Sequence, residues 1–352
     1  MEKKRLDFLD IAKGIGIILV LYSHSCGFPI FGKGVVAFYM PLFFFVSGYV
    51  YKMGRTPLEN IGRKLKQLLI PYAGFTLLLY AEHVALGLLK NEITGESLIK
   101  PLLGAVYSRA CLYADMTGEN IEFLLLSNGP MWFITAMAAS SIFFYLLVDK
   151  FLEDARLRGW ILFILAVLTI GFTYCPYLLP WSLDTAPACV TFMLLGALAG
   201  KEEYYKDFEK KKFMPVILIV LSLGYSIFME ISNPVNLSLR DYGYEGIHGA
   251  LRYMVMALCG VWLFLGICKC IEKFRFTKVF ILVGKHTYTI MALHILLFKY
   301  LTKVYYIFKM PFAFERGNIW YWVYWTMVFI VVIVICIMFD KVLFWIKKKC
   351  KK

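Results

Sequence analysis

The sequence predicts an all-α fold, a polytopic membrane helical bundle of about ten transmembrane helices with both termini cytoplasmic. Composition is the first reason: 60% of the 352 residues are hydrophobic, 18% are charged, and the mean hydropathy is +0.68. A soluble domain carries roughly 45–50% apolar and about 25% charged residues, so this chain holds more apolar surface than a water-facing fold of its size can bury. The second reason is that apolar runs close to the roughly 20 residues needed to cross a bilayer recur from end to end. The third is that lysine and arginine gather in alternate connections between those runs.

The runs fall at about residues 8–28, 34–53, 70–89, 127–148, 159–175, 185–200, 213–230, 247–271, 278–302 and 319–346. The start Met1-Glu2-Lys3-Lys4-Arg5 imitates a signal peptide, but no small-x-small cleavage site follows and Asp10, Lys13 and His24 interrupt the apolar core, so a retained first helix is expected. With the N-terminus inside, the connections assigned to the cytoplasm hold 26 cations, those assigned outside hold eight, and Lys13, Arg252, Lys285 and Lys299 lie within spans. That arrangement gives the net charge of +14 a topological origin, and the cations share no amphipathic face of the kind that binds nucleic acid. Nine cysteines, an odd number without CxxC spacing, argue against a disulfide framework and a zinc site. No repeat of 20 to 50 residues or low-complexity linker divides the chain, so residues 1–352 read as a single integral-membrane domain of open oligomeric state.

Ionisable groups within the runs are candidate site residues, because charge at membrane depth is costly and faces the bundle interior or a water-filled cavity. In the first run, Lys13 and His24 are eleven residues apart, about three helical turns, which puts them on one face some 16 Å apart. Lys13 then sits near the cytoplasmic edge, where a cation suits a phosphorylated donor, and His24 lies past the midplane, where an imidazole can deprotonate a hydroxyl. The plainer alternative pairs Lys13 with Asp10 and packs His24 as a hydrogen-bonded helix residue.

Between the second and third runs, the stretch Asn60 to Tyr72 contains Arg63, Lys64 and Lys66, which suit either donor phosphates or anionic membrane lipids. Glu82 and His83 lie in the third run. The connection 90–126 is the longest and is assigned outside, with Glu92, Glu96, Asp115, Glu119 and Glu122 among its polar residues, where it can cover an opening. Asp184, at the start of the sixth run, reads as a helix cap. His248 and Arg252 stand one turn apart in the eighth, as partners for each other or for an anionic or sugar acceptor. In the ninth, His294 is about 16 residues from the start, as His24 is in the first, so the two imidazoles should share a depth; His286 is a weaker candidate in the same run.

These residues resemble the acyltransferase-3 family of integral-membrane acyltransferases, whose members O-acetylate cell-surface polysaccharides and related glycans. The run Leu6-Asp7-Phe8-Leu9-Asp10-Ile11-Ala12-Lys13-Gly14, continuing to His24, is similar to the family's arginine, ten residues, histidine motif, with lysine in place of arginine. The charge is kept and the planar bidentate grip on phosphate is lost. Pro41 to Tyr49 resembles the family's aromatic run before Ser-Gly, and Arg63-Lys64 through Pro71 its basic segment. Gly129-Pro130-Met131-Trp132-Phe133 and the segment ending in His294 also look like family segments, so the likeness spans nearly the whole chain.

The resemblance implies acyl transfer from cytoplasmic acetyl-CoA to a hydroxyl of a cell-surface glycan or lipid-linked sugar at the cell membrane. His24 would be the general base with His294 beside it, and Lys13 with Arg63, Lys64 or Lys66 would contact donor phosphates. The sugar O-acetylase branch fits best, with the membrane half of a serine-racemase-like system next to it. The competing classes are a transporter or flippase relaying protons through the same buried groups, and a structural subunit indifferent to loss of Lys13 and His24.

Overall fold

The computed structural model describes residues 6–25, 32–109, 111–113, 126, 129–231, 246–307 and 319–349. Twelve α-helices carry the described chain: α1 (Asp7–Ser23), α2 (Gly32–Tyr49), α3 (Pro57–Lys90), α4 (Gly95–Tyr107), α5 (Trp132–Glu153), α6 (Ala155–Thr173), α7 (Ala186–Lys201), α8 (Met214–Ile231), α9 (Gly246–Ile271), α10 (Thr277–Lys285), α11 (Thr287–Ile307) and α12 (Ile319–Lys349). No strand occurs among the described residues beyond an isolated antiparallel bridge, Tyr113 to Tyr177.

Each apolar run contains helix, but length and hydropathy alone mark fewer than ten of these helices as spans among the described residues. Seven helices among the described residues are long and apolar enough to cross a membrane, and an eighth arises if the α10–α11 pair, bent by 83°, is taken as one span. The first run is a helix of 17 residues, and the second carries Lys33, Pro41, Ser47 and several glycines, which dilute its hydropathy. The ninth run is thus a broken helix rather than a straight one.

Local chemistry fixes the ends. Thr56 and Glu59 form a reciprocal capping box, with Pro57 in the first turn, so α3 starts 13 residues before the expected span and the basic stretch lies on the helix itself. Asn91, at φ 58°, closes α3 in the left-handed region that asparagine tolerates. The long connection contains α4, capped by Thr94, while Asp115, Glu119 and Glu122 lie outside the described residues. At the α5–α6 corner, Arg158 donates to the Phe151 and Leu152 carbonyls and Lys201 Nζ donates to Leu152 O at 2.8 Å, so cations terminate α5 where its dipole favours them.

Helices α2, α5 and α7 form the interior, most of their residues being buried, whereas α6 and α8 bury only a few side chains each. Their outer faces show Phe163, Ile164, Val167, Val216, Val220 and Ile227 to the surroundings, a distribution that suits lipid and not water. Glycines bring the inner helices together: a Cβ on Gly48 would overlap the Met193 carbonyl, and one on Gly196 or Gly200 would overlap Phe45 O or Tyr49 O. Gly196 and Gly200, four residues apart, give α7 the small-residue stripe that lets two membrane helices approach backbone to backbone.

The Gly48→Val substitution is therefore expected to destabilise the fold by at least roughly 1–3 kcal/mol, the usual range for overpacking, because the obstacle is backbone. Gly74→Ala, on an exposed part of α3 with nothing near its Cβ position, should be neutral or slightly stabilising. Monodisperse yield and unfolding midpoint in detergent check both.

Candidate active site

Helix α1 is held against α10 by two glycines: a Cβ on Gly14 would overlap Phe280 O, and one on Gly284 would overlap Asp10 O. This seam fixes the face that carries Asp10, Lys13 and His24. His24 caps the C-terminus of α1, its backbone N–H bonded to Val20 O at 3.1 Å, and its side chain is exposed. His294, in α11, is fully enclosed.

The two imidazoles meet, their centroids 5.3 Å apart and their planes inclined by 50°. His294 Nδ1 is 3.0 Å from both the Ile290 and Met291 carbonyl oxygens. Carbonyls only accept, so Nδ1 carries the proton and donates, and Nε2 is left with its lone pair. That Nε2 is buried and has no hydrogen-bond partner. Phe298 closes the other side of the ring edge to face, centroids 5.7 Å apart. The result is one tautomerically fixed, sealed imidazole beside one open imidazole.

Toward the other end of α1, Lys13 Nζ lies 2.6 Å from the buried Asp10 carboxylate, as the plainer alternative for that pair expects. Lys64, from α3, donates to Ser47 Oγ at 3.1 Å and is close enough to Lys13 for the two cations to repel. Arg63 and Lys66 are not part of this group. Arg63 points along its own helix to Asn60 Oδ1 (3.1 Å) and toward Tyr145, and Lys66 is exposed. A step of one residue on a helix turns the side chain by about 100°, which separates Arg63 from Lys64.

The remaining ionisable groups have other partners. Glu82 accepts from Lys299 Nζ at 3.0 Å and Tyr300 OH at 2.5 Å, and His83 donates to Ser97 O at 3.0 Å. His286 pairs with Asp340 at 2.5 Å. His248 is exposed at the start of α9. Asp184 is not spent on capping: it is fully buried and bonds Arg109 Nη2 through both oxygens, at 2.5 and 2.6 Å. Neither Arg109 nor Asp340 was singled out by sequence, although a carboxylate inside the last apolar run was a signal for Asp340. Among the described residues no three histidine, cysteine or acidic side chains lie together as a metal site would require, and the seven described cysteines are free.

Fold and composition define an integral-membrane helical bundle, in which an imidazole pair lies toward one end of α1 and the Lys13–Lys64 pair, shared between α1 and α3, lies toward the other. The chain belongs to the acyltransferase-3 family, whose model, described as an acyltransferase domain, matches residues 6–341. No curated protein and no solved structure matches the chain.

Proposed function

We propose that this membrane acyltransferase moves an acetyl group from cytoplasmic acetyl-CoA to a hydroxyl of a cell-surface glycan or lipid-linked sugar. The observation that carries the proposal is the His24–His294 pair. The unprotonated Nε2 of His294 is available to accept an N–H from His24, which leaves the opposite nitrogen of His24 with the lone pair a general base needs. His24 then takes the hydroxyl proton as the oxygen attacks the thioester carbonyl. The C–S bond breaks, and the proton passes to the departing thiolate, which restores neutral His24.

The donor-side assignment rests on Lys13 and Lys64. Two ammonium groups brought close with one carboxylate, Asp10, repel each other, and an anionic ligand relieves that repulsion. Lys13 and His24 lie about 16 Å apart along α1, a separation that the long pantetheine arm of CoA can bridge. On the topology that the charge pattern predicts, ten spans with both termini cytoplasmic, the cation pair would face the CoA side of the cell membrane, among its lipids. Arg63 and Lys66 fall outside this donor set.

Release of free CoA thiol from acetyl-CoA by the purified protein, with and without a crude surface-glycan extract, tests the proposal. Glycan-dependent release supports it; folded protein that releases none, yet shows counterflow of a solute in vesicles without acetyl-CoA, would replace it by a transporter. Within the enzyme reading, Lys64→Ala should raise KM for acetyl-CoA about 10-fold or more with kcat little changed, the size of a lost hydrogen bond to a charged group. Lys66→Ala should change it less than threefold.

A further inference from the structure

We infer that Asp340 is a positioning residue for the imidazole pair: by clamping the bend between α10 and α11 it sets where α11 delivers His294 to His24. The inference rests on the acyltransferase reading only for its catalytic consequence; the clamp itself is a matter of geometry.

The two helices meet at 83° with His286 alone between them. A break of that kind removes the continuous ladder of backbone hydrogen bonds that makes a helix stiff, so the angle must be set by contacts from outside. Asp340 supplies them from α12. Its Oδ2 accepts from His286 Nδ1 at 2.5 Å, at the break, and its Oδ1 accepts from Thr289 Oγ1 at 2.5 Å, in the first turn of α11. One carboxylate thus holds His286, the residue that ends α10, and the first turn of α11, each through a separate oxygen. The same turn is also fastened to α3, through Tyr288 OH to Leu68 O at 2.8 Å and the stacking of Tyr288 on Phe75.

The consequence follows from leverage. Helix α10 is seated on α1 by the Gly14–Gly284 seam, so it moves with the helix that carries His24. Helix α11 leaves α10 at the bend, and His294 lies eight residues beyond His286, about 12 Å along the axis. A change of about 10° in the bend displaces His294 by about 2 Å relative to α1, and a misplacement of about 1 Å in a reacting constellation can lower a rate about 100-fold. Helix α1 touches α11 far less than it touches α10, so little else in that pair opposes the displacement.

The test has two arms. Spin labels on Leu282→Cys and Val304→Cys, both exposed and on opposite sides of the bend, with other label-reactive cysteines replaced by serine, report the angle by pulsed electron resonance. Asp340→Ala should shift or broaden the distance distribution by about 2 Å or more, and Asp340→Asn, which keeps the shape and one acceptor oxygen, should do so less. In the second arm, Asp340→Ala should lower kcat at least 10-fold with KM for acetyl-CoA within twofold of the parent, because Lys13 and Lys64 are untouched. A merely structural loss would instead move both constants and the amount of folded protein together. Should Asp340→Ala fail to accumulate, Thr289→Val removes one arm of the clamp and should give the same split in milder form. Unchanged distances in both Asp340 variants overturn the inference, and so does a changed distance with kcat retained. If the parent protein transfers no acyl group, the acyltransferase reading fails separately, and the distances alone decide the clamp.

Discussion

Replacing His24 by alanine should lower kcat for acyl transfer by about 10²–10⁴-fold, the usual contribution of a positioned general base, while leaving KM for acetyl-CoA nearly unchanged. The side chain is exposed at the C-terminus of α1, so its removal opens no sealed cavity and the protein should stay folded. His294 acts through His24 and should contribute less: His294→Ala is expected to cost about 10–100-fold, because the base survives but loses the neighbour that fixes its orientation and tautomer. His294→Gln, whose side-chain carbonyl can stand in as an acceptor toward His24, should retain more activity than His294→Ala. The double variant should be no worse than His24→Ala, since residues that act as a unit lose their effects together and not additively. Initial rates of CoA thiol release, normalised to folded protein, measure all four. Parent-like turnover in His24→Ala would remove the base from the mechanism, and fully additive losses would dissolve the pair.

The helices were legible because the bilayer imposes a simple demand: every run of about 20 apolar residues must be helical to satisfy its backbone. The same rule was blind to what precedes the apolar part of α3, where Thr56 and Glu59 nucleate a helix through charged turns that hydropathy excludes. It was equally blind to the bend at His286, which depends on Asp340, 54 residues further along. For the candidate site, helical arithmetic put Lys13 on the His24 face and gave His24 and His294 one depth, since both follow from a rise of about 1.5 Å per residue. That α1 and α11 are neighbours did not follow, because it is decided by Gly14 and Gly284, whose role appears only once α10 is in place. Arg63, Lys64 and Lys66 look equivalent as a basic run, yet the helix sends them in three directions and only Lys64 reaches the Lys13 side.

Arg109→Met should be among the most damaging single substitutions for stability, costing about 3–5 kcal/mol, because it leaves a carboxylate buried without its counter-ion. Arg109 and Asp184 are almost completely buried, and their ion pair joins the end of α4 to the entry of α7 across 75 residues of sequence. Asp184 Oδ1 also accepts from Leu179 N at 3.1 Å, Arg109 Nε donates to Leu179 O at 3.3 Å, and Trp181 Nε1 donates to Val106 O at 2.8 Å. These bonds hold Trp181 and Ser182 in consecutive left-handed conformations, at φ 54° and 58°, which non-glycine residues adopt only when their surroundings impose it. Removing the cation therefore loses the pair and frees a strained turn. The converse change tests the electrostatic cause: Asp184→Asn added to Arg109→Met should recover part of the lost stability, since the amide needs no counter-ion and its carbonyl can still accept from Leu179 N. Unfolding titrations in detergent give the cycle. A double variant no more stable than Arg109→Met would assign the loss to packing of the arginine stem instead. Whatever fraction of Arg109→Met remains folded should keep the KM for acetyl-CoA of the parent, because this pair ties α4 to the start of α7, whereas Lys13 and Lys64 stand on α1 and α3 and are held by Asp10 and Ser47.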